Sequence, residues 1–216
     1  MTVLIADDQE LIRSGLRAVI DAEGDLVVVG QAGDGAEAVS AARTLAPDVV
    51  LMDLNMPKVG GVDATKQIMR GERPPKVLVL TTLSSDDHVL EALDAGASGF
   101  LLKDSLTREL TAAIRTVAAG GTALSPEVMG GLVTKARGHR GAVAEGADRR
   151  LSSLTSSEGE VLRLLGRGLT NQQIADELHL SVTSVKTYVS RLLARLGLDN
   201  RTQAAILAYE SGLLDG

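Results

Sequence analysis

Five short apolar runs recur through the first 120 residues: VLIA at 3–6, LVVVG at 26–30, VVLM at 49–52, KVLVLT at 76–81 and GFLLK at 99–103. None alternates polar with apolar positions. Continuous runs of this length suit parallel strands covered on both faces. Between them the apolar positions take helical spacing: Leu11, Leu16, Val19 and Ile20, then Ala36, Val39 and Ala42, and later Leu106, Leu110, Ile114 and Val117. The alternation of strand and helix predicts an α/β fold, a doubly wound five-stranded parallel sheet of flavodoxin-like type with helices on both faces.

The pattern dissolves over residues 121–150, which are rich in Gly and Ala and read as a linker. Ser125–Pro126–Glu127 carries the cap and first-position proline that start a short helix. Gly138 to Asp148 reads as a flexible tether. From 151 to 216 only helical patterns remain. Thr155 or Ser156 caps a segment carrying Val161, Leu162, Leu164 and Leu165. Thr170 caps NQQIADELHL, Ser181 caps VTSVKTYVSRLLARLGL, and RTQAAILAYESGLL follows. Short helices joined by short turns predict a small all-α module. The expected organisation is therefore 1–120, linker 121–150, and 151–216.

Composition narrows the possibilities. A chain of 216 residues fits two small domains better than one large one. Phe100, Tyr188 and Tyr209 are its only aromatic residues, so Leu, Val, Ile, Ala and Met must fill the cores. There is no cysteine, which excludes disulfides and thiolate metal sites and suits a reducing compartment. No apolar run reaches membrane-spanning length, and MTVLIADDQE lacks the basic and apolar parts of a signal peptide. A cytoplasmic protein without a membrane partner is expected. The formal charge of −6 is uneven: residues 1–120 hold 11 Lys and Arg against 18 Asp and Glu, residues 121–150 hold 5 against 3, and residues 151–216 hold 6 against 7. The acidic first part argues against general nucleic-acid binding and leaves room for a local basic face in the last.

The chemistry sits where the strands end. The first run ends in Asp7–Asp8, the third in Asp53, the fourth in Thr81–Thr82 and the fifth in Lys103. Ligands of open α/β sheets bind outside the carboxyl ends of the strands, so these side chains converge on one site. Carboxylates at close range repel one another, and a divalent cation relieves the repulsion. An all-oxygen donor set that retains waters favours Mg²⁺. Asp53 is then a nucleophile toward a phosphoryl group. Lys103, the Thr81 hydroxyl and a backbone amide of the loop after Asp53 stabilise the charge that develops on the phosphoryl oxygens.

ADD at 6–8, MDLNMP at 52–57, LTT at 80–82 and AGASGFLLKD at 95–104 resemble the receiver domain of two-component response regulators. The resemblance implies that Asp53 accepts the phosphoryl group from a separate histidine kinase. It implies Asp7, Asp8 and the Asn55 backbone carbonyl as Mg²⁺ ligands beside Asp53. Thr81 and Lys103 match the residues that hold the phosphoryl group, and Phe100 matches the aromatic position that rotates inward on activation. Gly60 stands where the family often has Asp, and Asp104 replaces a common proline. No histidine of this chain sits in a phosphodonor motif.

In the last part, TNQQIADEL, HLS and VTSVKTYVSRLLARLG read as helix, turn, helix. Val182, Val185, Val189, Leu192, Leu193 and Leu196 form one apolar stripe. Thr183, Ser184, Lys186, Thr187, Ser190 and Arg191 face the other way, and no acid occurs between Leu178 and Leu198. Short polar and basic side chains without acids suit a helix entering the major groove of double-stranded DNA. GLTNQQIADEL, SVTSVKTYV and RTQAA, within 154–208, resemble the LuxR-type DNA-binding domain. With the receiver in front, the whole chain is similar to a NarL/FixJ-type response regulator. The resemblance implies that Lys186 and Thr187 face bases, with Ser190 and Arg191 one turn on. Thr170, Asn171 and Gln172 are placed to touch phosphates from a helix N-terminus. Tyr188, Ser156–Ser157 and Ser190 depart from common family residues, which bears on the base sequence recognised.

So few cations in one module predict weak binding by one copy, and two copies on adjacent half-sites bind far better. The expected function is a non-enzymatic transcriptional regulator that dimerises when phosphorylated, through the surface of its fourth and fifth or its first and fifth helices. Two rivals stand beside it. One is a DNA-binding regulator whose receiver senses a ligand or protein without phosphorylation. The other is an aspartyl phosphatase, which needs a second Asp two residues after the nucleophile, where this chain has Asn55.

Overall fold

A computed structural model describes residues 1–82, 88–124, 128, 130, 151 and 154–214. The elements run β1 (Thr2–Ala6), α1 (Glu10–Asp21), β2 (Val27–Ala32), α2 (Gly35–Leu45), β3 (Val49–Asp53), α3 (Gly61–Met69), β4 (Lys76–Thr81), α4 (His88–Asp94), β5 (Gly99–Leu102), a single 3-10 turn at Lys103–Ser105, α5 (Leu106–Ala118) and β6 (Ala123–Leu124). Four helices follow: α6 (Ser156–Gly166), α7 (Asn171–Leu178), α8 (Val182–Leu196) and α9 (Arg201–Glu210). The five apolar runs are the first five strands.

The sheet order is β2-β1-β3-β4-β5-β6, every pair parallel. Going outward from β1 in both directions is the doubly wound arrangement, and it places the strand C-termini along one edge. Parallel strands are covered on both faces, which is why their sequences carry no polar alternation. One face packs Ala38, Val62, Ile68, Ala92 and Leu93 of α2, α3 and α4. The other packs Leu16, Ile20, Leu110 and Ile114 of α1 and α5. β3 lies in the middle with all five residues buried.

The sheet extends past the expected boundary at residue 120. Ala123 and Leu124 pair with Gly99 and Phe100 as a sixth strand. A Cβ on Gly99 would stand 2.5 Å from the Ala123 carbonyl oxygen, so this close pairing depends on glycine. Two residues give no periodicity to read, and the strand was hidden within Gly- and Ala-rich sequence. The short helix expected from Ser125–Pro126–Glu127 and the tether at 138–148 lie outside the described residues.

The helical part closes around Val161, Leu162, Leu165, Ile174, Val185, Leu192, Leu196 and Leu207. Thr155, rather than Ser156, caps α6, with Glu158 completing a capping box. Thr170 and Gln173 do the same for α7. Ser181 caps α8 and Asn200 caps α9. These side chains satisfy the orphan N–H groups that let such short helices persist.

α9 is buried on every side from Thr202 to Ala208. Ala204, Leu207 and Ala208 belong to the helical core. Ile206, 4% exposed, packs instead in the receiver-side cluster with Ala92, Leu93 and Ala97. The first turn of α9 adds polar ties. Asn200 Nδ2 donates to the Leu93 carbonyl at 3.1 Å, Thr202 Oγ1 to the Ala97 carbonyl at 3.0 Å, and Gln203 Nε2 to Asp94 Oδ1 at 3.1 Å. Arg201 donates to the carbonyls of Gly120 and Leu169. The Leu93 and Gly120 carbonyls stand at the C-terminal ends of α4 and α5, where unsatisfied acceptors favour such donors. Burial of its guanidinium pulls the Arg201 pKa down to about 10. The two parts thus meet at the sheet edge opposite the C-terminus of β3, since Ala97 precedes β5 and Thr122 precedes β6.

Candidate functional site

Asp53 ends β3, and the sheet register sets it beside the end of β4. Asp7 and Asp8 follow β1, the other neighbour of β3. Carboxylate oxygens of Asp7, Asp8 and Asp53 all lie within 4.8 Å of one another. Asp7 is fully buried, Asp53 is 3% exposed and Asp8 faces solvent. Lys103 follows β5 and reaches across, with Nζ 2.8 Å from Asp7 Oδ2 and 3.0 Å from Asp53 Oδ1. The Gln9 amide donates to Asp7 Oδ1 at 2.9 Å. Thr81 is buried at the end of β4. The structure therefore brings together the three acids and the lysine expected at the strand ends, with Thr81 buried at the end of the adjacent strand.

The turn after Asp53 is built for contact. A Cβ on Gly61 would lie 2.0 Å from the Asp53 carbonyl oxygen, and the Gly61 amide donates to the Leu54 carbonyl at 3.0 Å. Glycine lets α3 start directly over the strand end, which keeps Asn55 beside the carboxylates. The Asn55 amide donates to the Asp53 carboxylate.

Burial pushes the Asp53 pKa up, and the Asp7 charge adds to the rise, while Lys103 and the Asn55 amide oppose it. Burial also pulls Lys103 down, but hydrogen bonds and charges from Asp7 and Asp53 outweigh it and leave its pKa raised. Oxygen donors only, three acids and one open side fit a hard divalent cation that keeps waters. Lys103 already supplies part of the positive charge.

A raised carboxyl pKa has a sign in stability. The folded chain holds the Asp53 proton more tightly than the unfolded chain does. Stability is then lost as pH rises from the unfolded value, about 3.9, through the folded one. Asp53→Asn is expected to melt higher than the wild type at pH 7 without metal, with the gap closing toward pH 4. Scanning calorimetry at both pH values checks this, and a lower melting temperature at pH 7 contradicts it.

Phe100 lies within β5. It is 0% exposed and belongs to the cluster that holds Val89, Ala92 and Leu93 of α4. It is the one large aromatic available to fill the space between β5 and α4, and apolar burial holds it there.

On α8, Val185, Val189, Leu192 and Leu196 are buried, and Val182 and Leu193 partly so, as the stripe requires. Thr183, Lys186, Thr187, Ser190 and Arg191 are exposed on the opposite face. Lys186 and Arg191 carry no ion pair among the described residues, which leaves their charge for an outside partner. Ser184 is half-buried and shares a 2.9 Å hydrogen bond with the Ser181 cap. Thr187 Oγ1 bonds back to the Thr183 carbonyl at 3.0 Å. Thr170 is buried, and its hydroxyl accepts from the Gln173 amide at 3.2 Å. It offers a helix N-terminus and not a free hydroxyl. Asn171 is half-buried near Arg201, and Gln172 is exposed with its amide on Asp176.

Residues 3–115 match the response regulator receiver domain, and residues 152–208 match the bacterial regulatory proteins of the luxR family. The chain belongs to the two-component response regulators that carry a LuxR-type DNA-binding domain. It is 41% identical over 213 residues to the transcriptional regulatory protein LiaR of Bacillus subtilis (strain 168), covering 99% of both chains. It is 41% identical over 208 residues to the DNA-binding transcriptional activator DevR/DosR of Mycobacterium tuberculosis, covering 96% of this chain and 94% of the relative. The crystal structure of the response regulator ChrA of a heme-sensing two-component system matches over 98% of both chains, at 35% identity and TM-score 0.55. These relatives are regulators of transcription and not enzymes. The receiver domain implies a histidine kinase partner, and the LuxR-type domain implies binding to DNA. Among the described residues, no helix is long and apolar enough to cross a membrane.

Proposed function

We propose that phosphorylation of Asp53 switches this response regulator into a dimer that binds promoter DNA. The observation that carries the reading is Asp53 itself, a buried carboxylate between Asp7 and the Lys103 ammonium. A carboxylate oxygen of Asp53 attacks phosphorus, the O–P bond forms as the N–P bond of the kinase phosphohistidine breaks, and the electron pair leaves on the imidazole nitrogen. Asp7, Asp8, Asp53 and the Asn55 carbonyl hold Mg²⁺. When bound, the ion neutralises charge on the carboxylates and on the transferring group. Lys103 turns from Asp53 toward the incoming phosphoryl oxygens, and Thr81 donates to one of them.

The added charge, roughly −1.5 to −2, draws the Thr81 and Lys103 ends of β4 and β5 inward. β5 leads back to Phe100 and to Ala97, which accepts from Thr202 of α9. Phosphorylation thereby loosens the α4–α9 contact and frees the helical module. The α8 face is exposed even in the docked form, so docking does not cover the base-reading side chains. It restrains the module from reaching a second half-site about 34 Å away. A dimer through α4 and α5 requires this release, because the helical module lies against both.

In this reading Lys186 and Thr187 address bases, Ser190 and Arg191 extend the contact, and the N-terminus of α7 meets a phosphate. Lys186→Ala is expected to cost about 1–3 kcal/mol of promoter affinity. A mobility-shift titration checks this, and an unchanged midpoint contradicts the role. Thr183 and Ser184 lie at the start of the same helix, where side chains enter the groove first.

A further inference from the structure

One lysine beside the pocket sits in a backbone conformation that its side chain does not favour. Lys58 has φ +62°, and the Val59 amide donates to the Pro57 carbonyl at 2.8 Å across it. A bond from residue i+2 to residue i over a positive φ marks the rare, strained kind of γ-turn. Among the described residues, the other non-glycine positions with positive φ, Ala46 and His179, are helix C-caps, where this conformation is ordinary. Lys58 caps no helix. It lies in the Leu54–Gly60 loop that carries Asn55 away from Asp53.

Something must hold the turn, and the structure supplies it. Lys58 Nζ lies 2.5 Å from Asp34 Oδ2. The lysine side chain is 73% exposed, but its partner is only 3% exposed. Asp34 is fixed independently, because its other oxygen accepts from the Glu37 amide at 2.9 Å as the cap of α2. The hydrogen bond from Lys58 holds the Asp34 carboxyl below its ordinary pKa range. One residue on, the Gly35 amide donates to the Val59 carbonyl at 3.0 Å, and a Cβ at Gly35 would stand 2.3 Å from that oxygen. The start of α2 thus grips the loop at two adjacent residues. Neither grip contributes an atom to the acidic cluster. Strain kept at such a place points to a positioning role.

We propose that Lys58 is a positioning residue for the metal site: clamped to Asp34, it fixes the loop that presents the Asn55 carbonyl, and so sets the affinity of the Asp7, Asp8 and Asp53 cluster for Mg²⁺. The proposal rests on the Mg²⁺ reading given above. Groups that orient metal ligands without touching the metal alter affinity by roughly 10- to 100-fold when removed. Glycine would adopt the turn at less cost, so a lysine there is explained by its side chain.

The test titrates full-length chains with MgCl₂ by isothermal calorimetry and follows metal-free unfolding by scanning calorimetry. Lys58→Gly relieves the positive φ and removes the clamp. It is expected to bind Mg²⁺ roughly tenfold more weakly than the wild type, with an unchanged or higher melting temperature. Asp34→Asn keeps an oxygen to cap α2 and loses the ion pair, so it loses the same factor. The double variant loses no more than either single one, and Lys58→Arg retains the affinity. Wild-type affinity in both Lys58→Gly and Asp34→Asn overturns the proposal alone. So does a loss in Lys58→Gly that comes only with a lowered melting temperature. A wild-type chain that takes up no Mg²⁺ overturns the metal reading and this proposal with it.

Discussion

Incubated with acetyl phosphate or carbamoyl phosphate and Mg²⁺, the wild-type chain is expected to retain phosphoryl label and the Asp53→Asn chain to retain none. The amide nitrogen and oxygen of Asn are poor nucleophiles, and no other group in the pocket replaces the carboxylate. Asp7 has both carboxylate oxygens engaged, Oδ1 by the Gln9 amide and Oδ2 by Lys103, while Asp8 faces solvent at the end of β1. Asp53→Asn also removes one of the three acidic oxygens that gather here, so Mg²⁺ affinity falls together with labelling. Dimerisation driven by phosphate donors disappears in the same variant. Label that persists on Asp53→Asn moves the acceptor elsewhere and contradicts this assignment.

Breaking the junction should have the opposite effect on DNA binding. Ile206→Gln leaves Ala204, Leu207 and Ala208 in the helical core and removes the side chain seated against α4. Losing a buried isoleucine and burying an unpaired amide together cost about 3 kcal/mol. That shifts the balance between docked and released forms more than a hundredfold. Unphosphorylated Ile206→Gln is expected to have a larger radius of gyration in small-angle scattering and to bind promoter DNA more tightly than the unphosphorylated wild type. A compact Ile206→Gln chain with unchanged affinity removes docking from the control mechanism. Thr202→Val, which deletes only the 3.0 Å bond to Ala97, should shift the same way by less.

What the sequence disclosed follows from how local each signal is. VVLM at 49–52 and KVLVLT at 76–81 became β3 and β4 because burial on both faces writes itself into consecutive residues. Asp7, Asp53 and Lys103 were legible because a parallel sheet puts every strand end on one edge. Lys58 and Asp34 were not, since their pairing spans 24 residues and depends on one φ angle. The docking of α9 spans more than 100 residues. Its trace was present in RTQAAILAY, which lacks the polar face of a surface helix. A short helix whose middle, AAILA, is apolar all round needs partners on two sides, and its own module covers only one. β6 left no trace because two residues carry no period. The burial of Phe100 depends on what α4 places around it, which no local pattern shows.

Charge arriving at Asp53 drives assembly in this mechanism. The most direct measurement is the solution mass of the full-length chain, by light scattering behind size exclusion, with and without beryllofluoride and Mg²⁺. The predicted result is a monomer that becomes a dimer only when both are present, with Asp53→Asn remaining monomeric. A wild-type mass that does not change under those conditions would contradict it.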